Sequence, residues 1–527
     1  MAAEGGPQKA RIDLVNARRL PLLLALGACL CACGPVHEQE PNDDYTHATP
    51  LPAGRTAQGT LGSAADVDWY RVQASRDGIL SVRLSGIRET DWVLSVRGPD
   101  RTELKRIDET GIGGDEQALD LFVGPAGLYL VVSNKNAKAN NPSQPYRMKT
   151  TFESPVGRER EPNDGALSAT VLEPNAPMRG HYFPSTNLLA EDGQEEDWFK
   201  ISVAKPGLQV LNIDVSEVPK VDAVLEVYDA NSYKVREADA GGAGEAETIR
   251  NFGVRGPAEY KLRLRAKGRA ANPDVFYQLV TELVPYQGNV EFEPNDQRLD
   301  ATPMEGDSIS GTIAPTGDVD WYRLAADTGT KQILSAELSA VPGMDLQLAV
   351  MDEVGNPMLL IDNMGKEQPE VLTGIGARAV QYLVVSEKTG KKADARQGYT
   401  LTRRLTPWQP GLEYELNDSS RTAQAVKVGE AVDGWFAPKG DVDWYEFNVY
   451  QKGTAALELS GVLNVRATMT LYDQDYRELK SATAVKPGDS ISMEVPLEAG
   501  TYAVRLSPVD PGQCNTRDKY TFRVGMK

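Results

Sequence analysis

Histidine and basic charge are scarce in this 527-residue chain. Its three histidines are His37, His47 and His181, which leaves few candidates for general bases or for zinc and copper ligands. The formal net charge is -19. Because nucleic-acid binding depends on basic surface, we expect no nucleic-acid partner. The sequence also contains no G-x-S-x-G, H-E-x-x-H or P-loop motif, so we predict that the chain is not an enzyme.

Cysteine is equally rare. Cys29, Cys31 and Cys33 lie together, and Cys514 stands alone. This distribution excludes a disulfide framework and a paired CxxC metal site. Cys514 is predicted to be a partly buried free thiol.

Long apolar runs are missing as well. The one apolar run, residues 20–28, is shorter than the ~20 residues that span a membrane. It follows a basic segment and ends in small residues, which is typical of a secretory signal peptide. Residues 26–29, Leu-Gly-Ala-Cys, resemble a lipobox, with Cys29 as the lipidated residue and Cys33 as the alternative. Neither cysteine is followed by Asp, so the resemblance implies an outer-membrane lipoprotein facing the periplasm or the cell surface. A plain cleaved signal peptide with incidental cysteines is the remaining alternative.

An acidic motif, E-x-E-P-N-D or E-x-E-L-N-D, is repeated four times. Its copies are residues 38–43, 159–164, 291–296 and 413–418. Each is followed by D-x-D-W or E-x-D-W, at residues 66–69, 195–198, 318–321 and 441–444. The spacing of roughly 120 residues is the usual size of a domain and too long for a solenoid unit. The predicted divisions are a signal peptide (1–28), a tether (29–36) and four domains (37–153, 154–284, 285–406 and 407–527).

Short segments of alternating polarity dominate each unit. Residues 80–84 are one example, and a Tyr-led segment closes every copy at Tyr146, Tyr277, Tyr399 or Tyr520. Sustained helical periodicity is missing. We therefore predict an all-β protein of four tandem antiparallel β-sandwich, jelly-roll-like domains. The tryptophan of each D-x-D-W motif is expected in the core.

The repeated acids favour a calcium site in each unit. In an extended segment residues i and i+2 share a side, so Glu38 should converge with Glu40, and Asp66 with Asp68. Two like charges 4 Å apart cost ~4 kcal/mol at an effective dielectric near 20, and calcium, which takes six to eight oxygen ligands, relieves this repulsion. The predicted ligands are Glu38, Glu40, Asn42, Asp43, Asp66, Asp68, Glu159, Glu161, Asn163, Asp164, Glu195, Asp197, Glu291, Glu293, Asn295, Asp296, Asp318, Asp320, Glu413, Glu415, Asn417, Asp418, Asp441 and Asp443. Taken alone, Pro-Asn-Asp would also suit a turn or a helix N-cap.

The second copy departs from the pattern. Asn163 and Glu195 are 32 residues apart, compared with 23 or 24 in the other copies, and Glu195 replaces the first Asp. Whether this copy keeps its metal site is open from the sequence.

Each repeat resembles the bacterial pre-peptidase C-terminal domain, a relative of the collagen-binding domains of clostridial collagenases. The resemblance rests on four features together: the acidic motif, a following Gly-x-apolar segment, D-x-D-W and the final Tyr segment. The resemblance covers residues 37–527 in four copies. It implies a jelly-roll-like sandwich in which the acids named above hold calcium beside the interdomain linker. Such modules usually trail a secreted protease, and no protease precedes them here.

The function expected from these features is that of a non-catalytic, lipid-anchored envelope or surface protein. Its calcium-stabilised modules would serve adhesion, polymer or protein binding, or scaffolding. Its partners would be the membrane, through the lipid, and an envelope or extracellular protein or polysaccharide. The alternatives are an accessory substrate-binding subunit of a secreted or surface hydrolase and a paired-carboxylate glycosidase.

Overall fold

The computed structural model describes residues 34–63, 65–135, 142–184, 195–268, 270–324, 329–377, 380 and 382–527. The expected signal peptide and Cys29, Cys31 and Cys33 lie outside the described residues. All regular structure in the described part is β, with 35 strands and no helix, which confirms the all-β prediction. Consistent with this, no apolar helix of membrane-spanning length occurs among the described residues.

We call residues 37–153, 154–284, 285–406 and 407–527 repeats 1 to 4. The first strands, in and just before repeat 1, are β1 (Val36–His37), β2 (Thr49–Pro52), β3 (Thr56–Gly59), β4 (Asp68–Gln73), β5 (Gly78–Leu84), β6 (Trp92–Arg97), β7 (Glu103–Ile107), β8 (Glu116–Val123), β9 (Leu128–Asn134) and β10 (Tyr146–Glu153). Repeat 2 has β11 (Thr170–Leu172), β12 (Met178–Tyr182), β13 (Glu196–Val215), β14 (Ala223–Tyr228), β15 (Lys234–Ala238), β16 (Glu247–Ala266) and β17 (Asn272–Pro285).

Repeats 3 and 4 continue the numbering. Repeat 3 has β18 (Thr302–Met304), β19 (Ser308–Ile313), β20 (Val319–Leu324), β21 (Gln332–Leu338), β22 (Leu346–Met351), β23 (Pro357–Ile361), β24 (Glu370–Gly376), β25 (Tyr382–Glu387) and β26 (Asp394–Pro407). Repeat 4 has β27 (Gln424–Ala425), β28 (Ala431–Phe436), β29 (Asp443–Val449), β30 (Gly453–Leu459), β31 (Ala467–Tyr472), β32 (Glu478–Thr483), β33 (Ile491–Leu497), β34 (Gly500–Pro508) and β35 (Asn515–Met526).

Repeats 1, 3 and 4 share one strand order in two sheets. Sheet I contains the strand that carries D-x-D-W, and its orders are β2-β4-β9-β6-β7, β18-β20-β25-β22-β23 and β27-β29-β34-β31-β32. Sheet II contains the final Tyr strand, and its orders are β1-β3-β10-β5-β8, β19-β26-β21-β24 and β28-β35-β30-β33. Apart from β1 with β3 and the short opening strand of each sheet I, which pair in parallel, neighbouring strands are antiparallel.

Repeat 2 joins the two sheets into one. Its β13 and β16 each run for 20 residues, where the other repeats have two separate strands. The register between them shifts at Val203 and Gly207, because residues 204–206 of β13 oppose only Pro257 of β16. Each of these two strands therefore takes part in both sets of pairings without a break.

Buried side chains form four separate clusters, one within each repeat. The expectation that the D-x-D-W tryptophans lie in these clusters is wrong: Trp69, Trp198, Trp321 and Trp444 are half-buried. Successive side chains of a strand face opposite ways, and in β4 the inward positions belong to Asp68 and Tyr70. Trp69 consequently lies on the outer face, against Tyr129 at a centroid distance of 5.7 Å.

Candidate metal sites at the joints between repeats

The acidic motif of every repeat is fixed to the D-x-D-W strand by the same backbone bond. The tryptophan N–H donates to the carbonyl oxygen of the motif asparagine at 2.9–3.1 Å, in the pairs Trp69–Asn42, Trp198–Asn163, Trp321–Asn295 and Trp444–Asn417. The asparagine N–H in turn donates to the second glutamate of its own motif at 2.7–3.1 Å. These bonds bring the two acidic motifs together although 23 to 32 residues separate them.

A glycine leaves room for the first glutamate beside the final tyrosine. In repeat 3 the Glu291 Oε1 accepts from Thr312 N at 2.9 Å, and Tyr399 donates to Asp320 Oδ2 at 2.6 Å. A Cβ on Gly311 would lie 2.3 Å from Glu291 Oε2 and 2.5 Å from the Tyr399 hydroxyl. The equivalent glycines, Gly59, Gly180 and Gly434, meet the same pair of groups. The repeated glycine is therefore required by the close approach of the carboxylate and the phenol.

The second glutamate of repeats 2, 3 and 4 also pairs with the preceding repeat. Glu161 N donates to Asp120 O at 2.8 Å, and Phe122 N donates to Glu161 O at 2.9 Å. Glu293 makes the same two bonds with residues 251 and 253, and Glu415 with residues 374 and 376. Each of these acid clusters is thus built at the joint between two consecutive repeats.

We name the clusters sites 1 to 4 after their repeats. Groups whose ligand atoms all lie within 4.8 Å of one another are Glu38, Glu40 and Asp68; Glu161, Asp164 and Glu195; Glu293, Asp296 and Asp318; and Glu413, Glu415 and Asp443. The structure therefore brings acids from both motifs together in every repeat, including repeat 2 with its longer spacing. The motif aspartates Asp43, Asp296 and Asp418 are exposed at the outer edge of their sites, whereas Asp164 is half-buried.

Several buried oxygens in these sites accept no hydrogen bond from any described residue. They are Glu38 Oε2, Asn42 Oδ1, Asp68 Oδ1, Asn163 Oδ1, Glu195 Oε2, Asp197 Oδ1, Asn295 Oδ1, Asp318 Oδ1, Asp320 Oδ1 and Asp443 Oδ2. A buried acceptor without a donor costs ~1–3 kcal/mol, yet the same positions recur from repeat to repeat. A set of buried oxygen ligands that receives no hydrogen bonds fits a hard cation such as calcium.

The pKa values of these acids indicate the same need for positive charge. Burial, and then the charge of Glu293, raises the pKa of Asp318 to about 9. Burial, opposed by the Tyr146 hydrogen bond, also raises the pKa of Asp68 to about 9. In site 4 burial and neighbouring carboxylates raise the pKa of Asp443 well above its usual value. A bound cation would lower these pKa values, because it stabilises the charged form of each carboxylate.

Site 2 receives a cation from repeat 1. Lys105 on β7 places its Nζ 3.0 Å from Glu161 Oε1 and 2.7 Å from Glu195 Oε1, with 4% of its side chain exposed. Burial alone would lower the pKa of Lys105, but the charges of Glu161 and Glu195 outweigh burial and raise it well above the usual value. The ammonium group therefore stays charged inside the cluster.

Site 3 receives a cation from repeat 2. Arg236 on β15 lies with Nη2 3.2 Å from Glu293 Oε1, and 10% of its side chain is exposed. The same nitrogen donates to the carbonyl oxygen of Ala314, four residues before Asp318. The guanidinium group thus neutralises one carboxylate and bonds to the loop that carries the next.

Site 4 has no equivalent cation. No ion pair among the described residues includes Glu413, Glu415, Asp441 or Asp443, all of which are buried. One terminal atom of the Asn417 amide lies 3.2 Å from Glu415 Oε2 and 3.3 Å from Asp443 Oδ1. With nitrogen there the amide donates to both acids; with oxygen there, three oxygens converge as they would around a metal ion.

The joint between repeats 1 and 2 carries a second polar cluster beside site 2. Asp120 accepts from Arg158, and its Oδ2 lies 2.5 Å from His181 Nδ1. Burial opposes ionisation of Asp120, but the hydrogen bond with His181 and the positive charge of Arg158 outweigh it, so the pKa of Asp120 is lowered. Glu159 belongs to this cluster too, because its ligand atom lies within 4.8 Å of those of Asp120 and His181. Of these three residues the sequence singled out only Glu159, as a calcium ligand.

Sequence reasoning missed Lys105 and Arg236, because both lie in the repeat that precedes the acids they contact. Counted from the D-x-D-W tryptophan, Lys105 and Lys480 lie 36 residues further along the chain, whereas Arg236 and Leu359 lie 38 residues further along. The motif spacing alone therefore does not align these positions. Cys514, expected to be free and partly buried, is confirmed as such.

The chain matches no family model and no curated protein. Among solved structures it is similar to the pre-peptidase C-terminal domain of a collagenase from Bacillus anthracis, with 16% identity over 19% of this chain and 93% of that chain and a TM-score of 0.17. It is also similar to the BSP domain of a biofilm-associated protein, with 11% identity, coverages of 90% and 96% and a TM-score of 0.14. A triple jelly roll from an archaeal virus gives 8% identity, coverages of 66% and 84% and a TM-score of 0.17. At these values the similarities carry no functional argument.

Proposed function

We propose that the chain is a non-catalytic, lipid-anchored protein of the cell envelope or surface, built from calcium-stabilised binding modules for adhesion, for polymer or protein binding, or for scaffolding. The recurrence of one acid cluster in all four repeats supports this proposal. A catalytic acid pair would be expected once, in a cleft, whereas these acids are tied to backbone groups at the joints. Such a placement suits a structural role.

Each module is proposed to be a β-sandwich of the jelly-roll-like type. Support comes from the four separate buried clusters and from the strand order that repeats 1, 3 and 4 share. Two antiparallel sheets around one core are typical of sandwiches. Repeat 2 keeps the same pairing with the two sheets joined.

Calcium is proposed to bind in the acid clusters, three of which lie at the joints. The observation that carries this is the set of buried oxygens without hydrogen-bond donors, since the motif asparagine and the second D-x-D aspartate recur in it. The second glutamate, which also pairs with the preceding repeat, would link the metal to the joint. Calcium would then stabilise the repeat and fix its angle to the one before.

Thermal unfolding of residues 34–527 with calcium and then with chelator tests the metal proposal. A ligand at 100 times its dissociation constant stabilises by ~2.7 kcal/mol per site, so calcium should raise the melting temperature of a responding repeat by roughly 10 °C. Asp443→Asn should abolish the response of repeat 4, and Asp475→Asn, at an exposed position of the same repeat, should preserve it. No calcium-specific shift would leave the acid clusters as capped turns.

The lipid anchor has its own test. Cells that express the full chain should incorporate radiolabelled palmitate into it, and Cys29→Ala should abolish the label while the matched variant Cys33→Ala retains it. The reverse pattern would move the anchor to Cys33. Labelling of neither the full chain nor the variants would leave a secreted protein.

A further inference from the structure

The hairpin that ends sheet I in repeats 1, 3 and 4 also ends the single sheet of repeat 2. The pairs in register are Val96 with Lys105, Val227 with Arg236, Val350 with Leu359 and Leu471 with Lys480. In all four hairpins the register shifts immediately after this pair, at the next residue of the first strand of the hairpin. Lys105, Arg236, Leu359 and Lys480 therefore occupy one equivalent position.

In repeats 1 and 2 this position supplies a buried cation to the following site. Lys105 contacts Glu161 and Glu195 of site 2, and Arg236 contacts Glu293 of site 3. These carboxylates belong to the set that would otherwise ligate a metal ion. A divalent ion beside an ammonium or guanidinium group would meet like-charge repulsion, which is strong in a buried site.

In repeat 3 the position cannot supply charge, because it is Leu359, a partly buried residue packed against the core of its own repeat. Lys439, two residues before Asp441, directs its Nζ to Asp362 O at 3.1 Å. Asp443 is fully buried, and its Oδ2 has no hydrogen-bond donor among the described residues. Asp197 and Asp320 of sites 2 and 3 share this feature, so the missing cation is what separates site 4 from them. Site 4 therefore has the acids of sites 2 and 3 without their cation.

Site 1 shares this lack of a cation. No repeat precedes it within the described residues, and none of its acids takes part in an ion pair there. Asn42 and Asp68 are fully buried, and each has an oxygen without a donor among those residues. Glu40 is exposed, so the site remains open to solvent.

We propose that Lys105 and Arg236 replace a metal ion in sites 2 and 3, so that the chain binds calcium only at sites 1 and 4. The joint between repeats 3 and 4 is then the calcium-responsive joint, while the joints on either side of repeat 2 are held by residues of the chain itself. This inference rests on the proposed calcium binding and divides it among the sites.

Equilibrium dialysis of residues 34–527 against radioactive calcium gives the first test. The expected result is two ions per chain. Four ions would overturn the division between sites while leaving the calcium proposal intact. No bound calcium would overturn both proposals.

Hydrogen exchange of the same protein tests which joint responds. Chelator should accelerate exchange at the amides of Gly376 and Glu415, which form the backbone bonds across the third joint. The corresponding amides of Phe122 and Glu161, and of Gly253 and Glu293, should keep their protection. Equal acceleration at all three joints, or at none, would overturn the proposal.

The variant Leu359→Lys tests the role of the hairpin position. It should bind one calcium ion instead of two and should protect Gly376 and Glu415 in chelator. Leu359→Met, which adds no charge, should behave as the unaltered chain does. Lys480→Met alters the equivalent position of repeat 4, where the Lys480 Nζ donates to the carbonyl oxygen of Glu494, and this variant should still bind two ions. Two ions bound to Leu359→Lys in its folded form would contradict the proposal.

Discussion

Lys105 of repeat 1 and Glu195 of repeat 2 are 90 residues apart in the sequence, and their Nζ and Oε1 atoms lie 2.7 Å apart. The contact crosses the first joint and is almost completely shielded from solvent, since 4% of the lysine side chain and 5% of the glutamate side chain are exposed. A folded repeat 1 is therefore required to complete the charge balance of repeat 2.

Replacing this lysine should destabilise the joint strongly. Removal of one partner of a buried ion pair typically costs about 3–5 kcal/mol, because the remaining charges lose their compensation. We expect Lys105→Met to lower the melting temperature of repeat 2 by about 10 °C or more in chelator, measured by calorimetry. The matched variant Lys480→Met removes an exposed lysine at the equivalent position and should change stability by no more than about 0.5 kcal/mol. Equal effects of the two variants would show that the buried contact contributes little.

The repeated glycine beside the first glutamate should tolerate no side chain. In Gly311→Ala the new methyl group would meet Glu291 Oε2 at 2.3 Å and the Tyr399 hydroxyl at 2.5 Å, and overpacking of this kind costs about 1–3 kcal/mol. Urea denaturation should show this loss in repeat 3. Gly365→Ala, in the same repeat and with nothing within 4 Å, is the control and should be nearly neutral. A neutral Gly311→Ala would mean that the carboxylate moves aside freely.

Much of this arrangement follows from the sequence. Acids of both motifs lie in one group in each repeat. The i, i+2 convergence is seen for Glu38 with Glu40 and for Glu413 with Glu415, whereas the groups named above for sites 2 and 3 contain only the second glutamate. Short alternating segments correctly predicted an all-β protein. Both inferences depend on local backbone geometry, which the order of residues determines directly.

The parts that the sequence did not predict depend on contacts between distant residues. Lys105 and Arg236 reach their acids because the hairpins project across a joint, and no local pattern marks a lysine for that role. The outward position of Trp69 follows from the inward position of Asp68, a buried acid that composition alone would place outside. The continuous strands of repeat 2 contain a register shift at which the three residues 204–206 oppose one, and no local pattern in the sequence marks it.

The final tyrosine of repeat 3, Tyr399, should contribute more to the stability of the repeat than Tyr322, whose hydroxyl lies beside it. Tyr399 donates to Asp320 Oδ2 at 2.6 Å, so Tyr399→Phe leaves a buried carboxyl without this donor, at a cost of about 1–3 kcal/mol. The Tyr322 hydroxyl lies 2.5 Å from the Tyr399 hydroxyl, and its bond to the buried Glu291 Oε2 is long, at 3.4 Å. Repeat 2 already has Phe199 at the equivalent position. We therefore expect Tyr322→Phe to cost about half as much or less in chemical denaturation. A larger loss from Tyr322→Phe would reverse the assigned order.

Glu226 should make the stability of repeat 2 dependent on acid pH. Hydrogen bonds from Arg263 and Tyr228, together with the positive charge of Arg263, outweigh burial and lower the pKa of Glu226 to about 2. A lowered folded-state pKa stabilises the protein fully above the unfolded value near 4.5, and this contribution is lost as the pH falls from there towards 2.

Glu226→Gln should therefore cost about 2 kcal/mol at pH 7, and its difference from the unaltered chain should shrink as the pH is lowered below 4.5. Urea denaturation of repeat 2 at pH 7, 4 and 3 measures that difference. Glu259→Gln, at an exposed position of the same repeat, should show a small difference at every pH. A difference for Glu226→Gln that stays constant from pH 7 to pH 3 would mean that the carboxyl group contributes through its packing, because packing does not depend on the charge that acid removes.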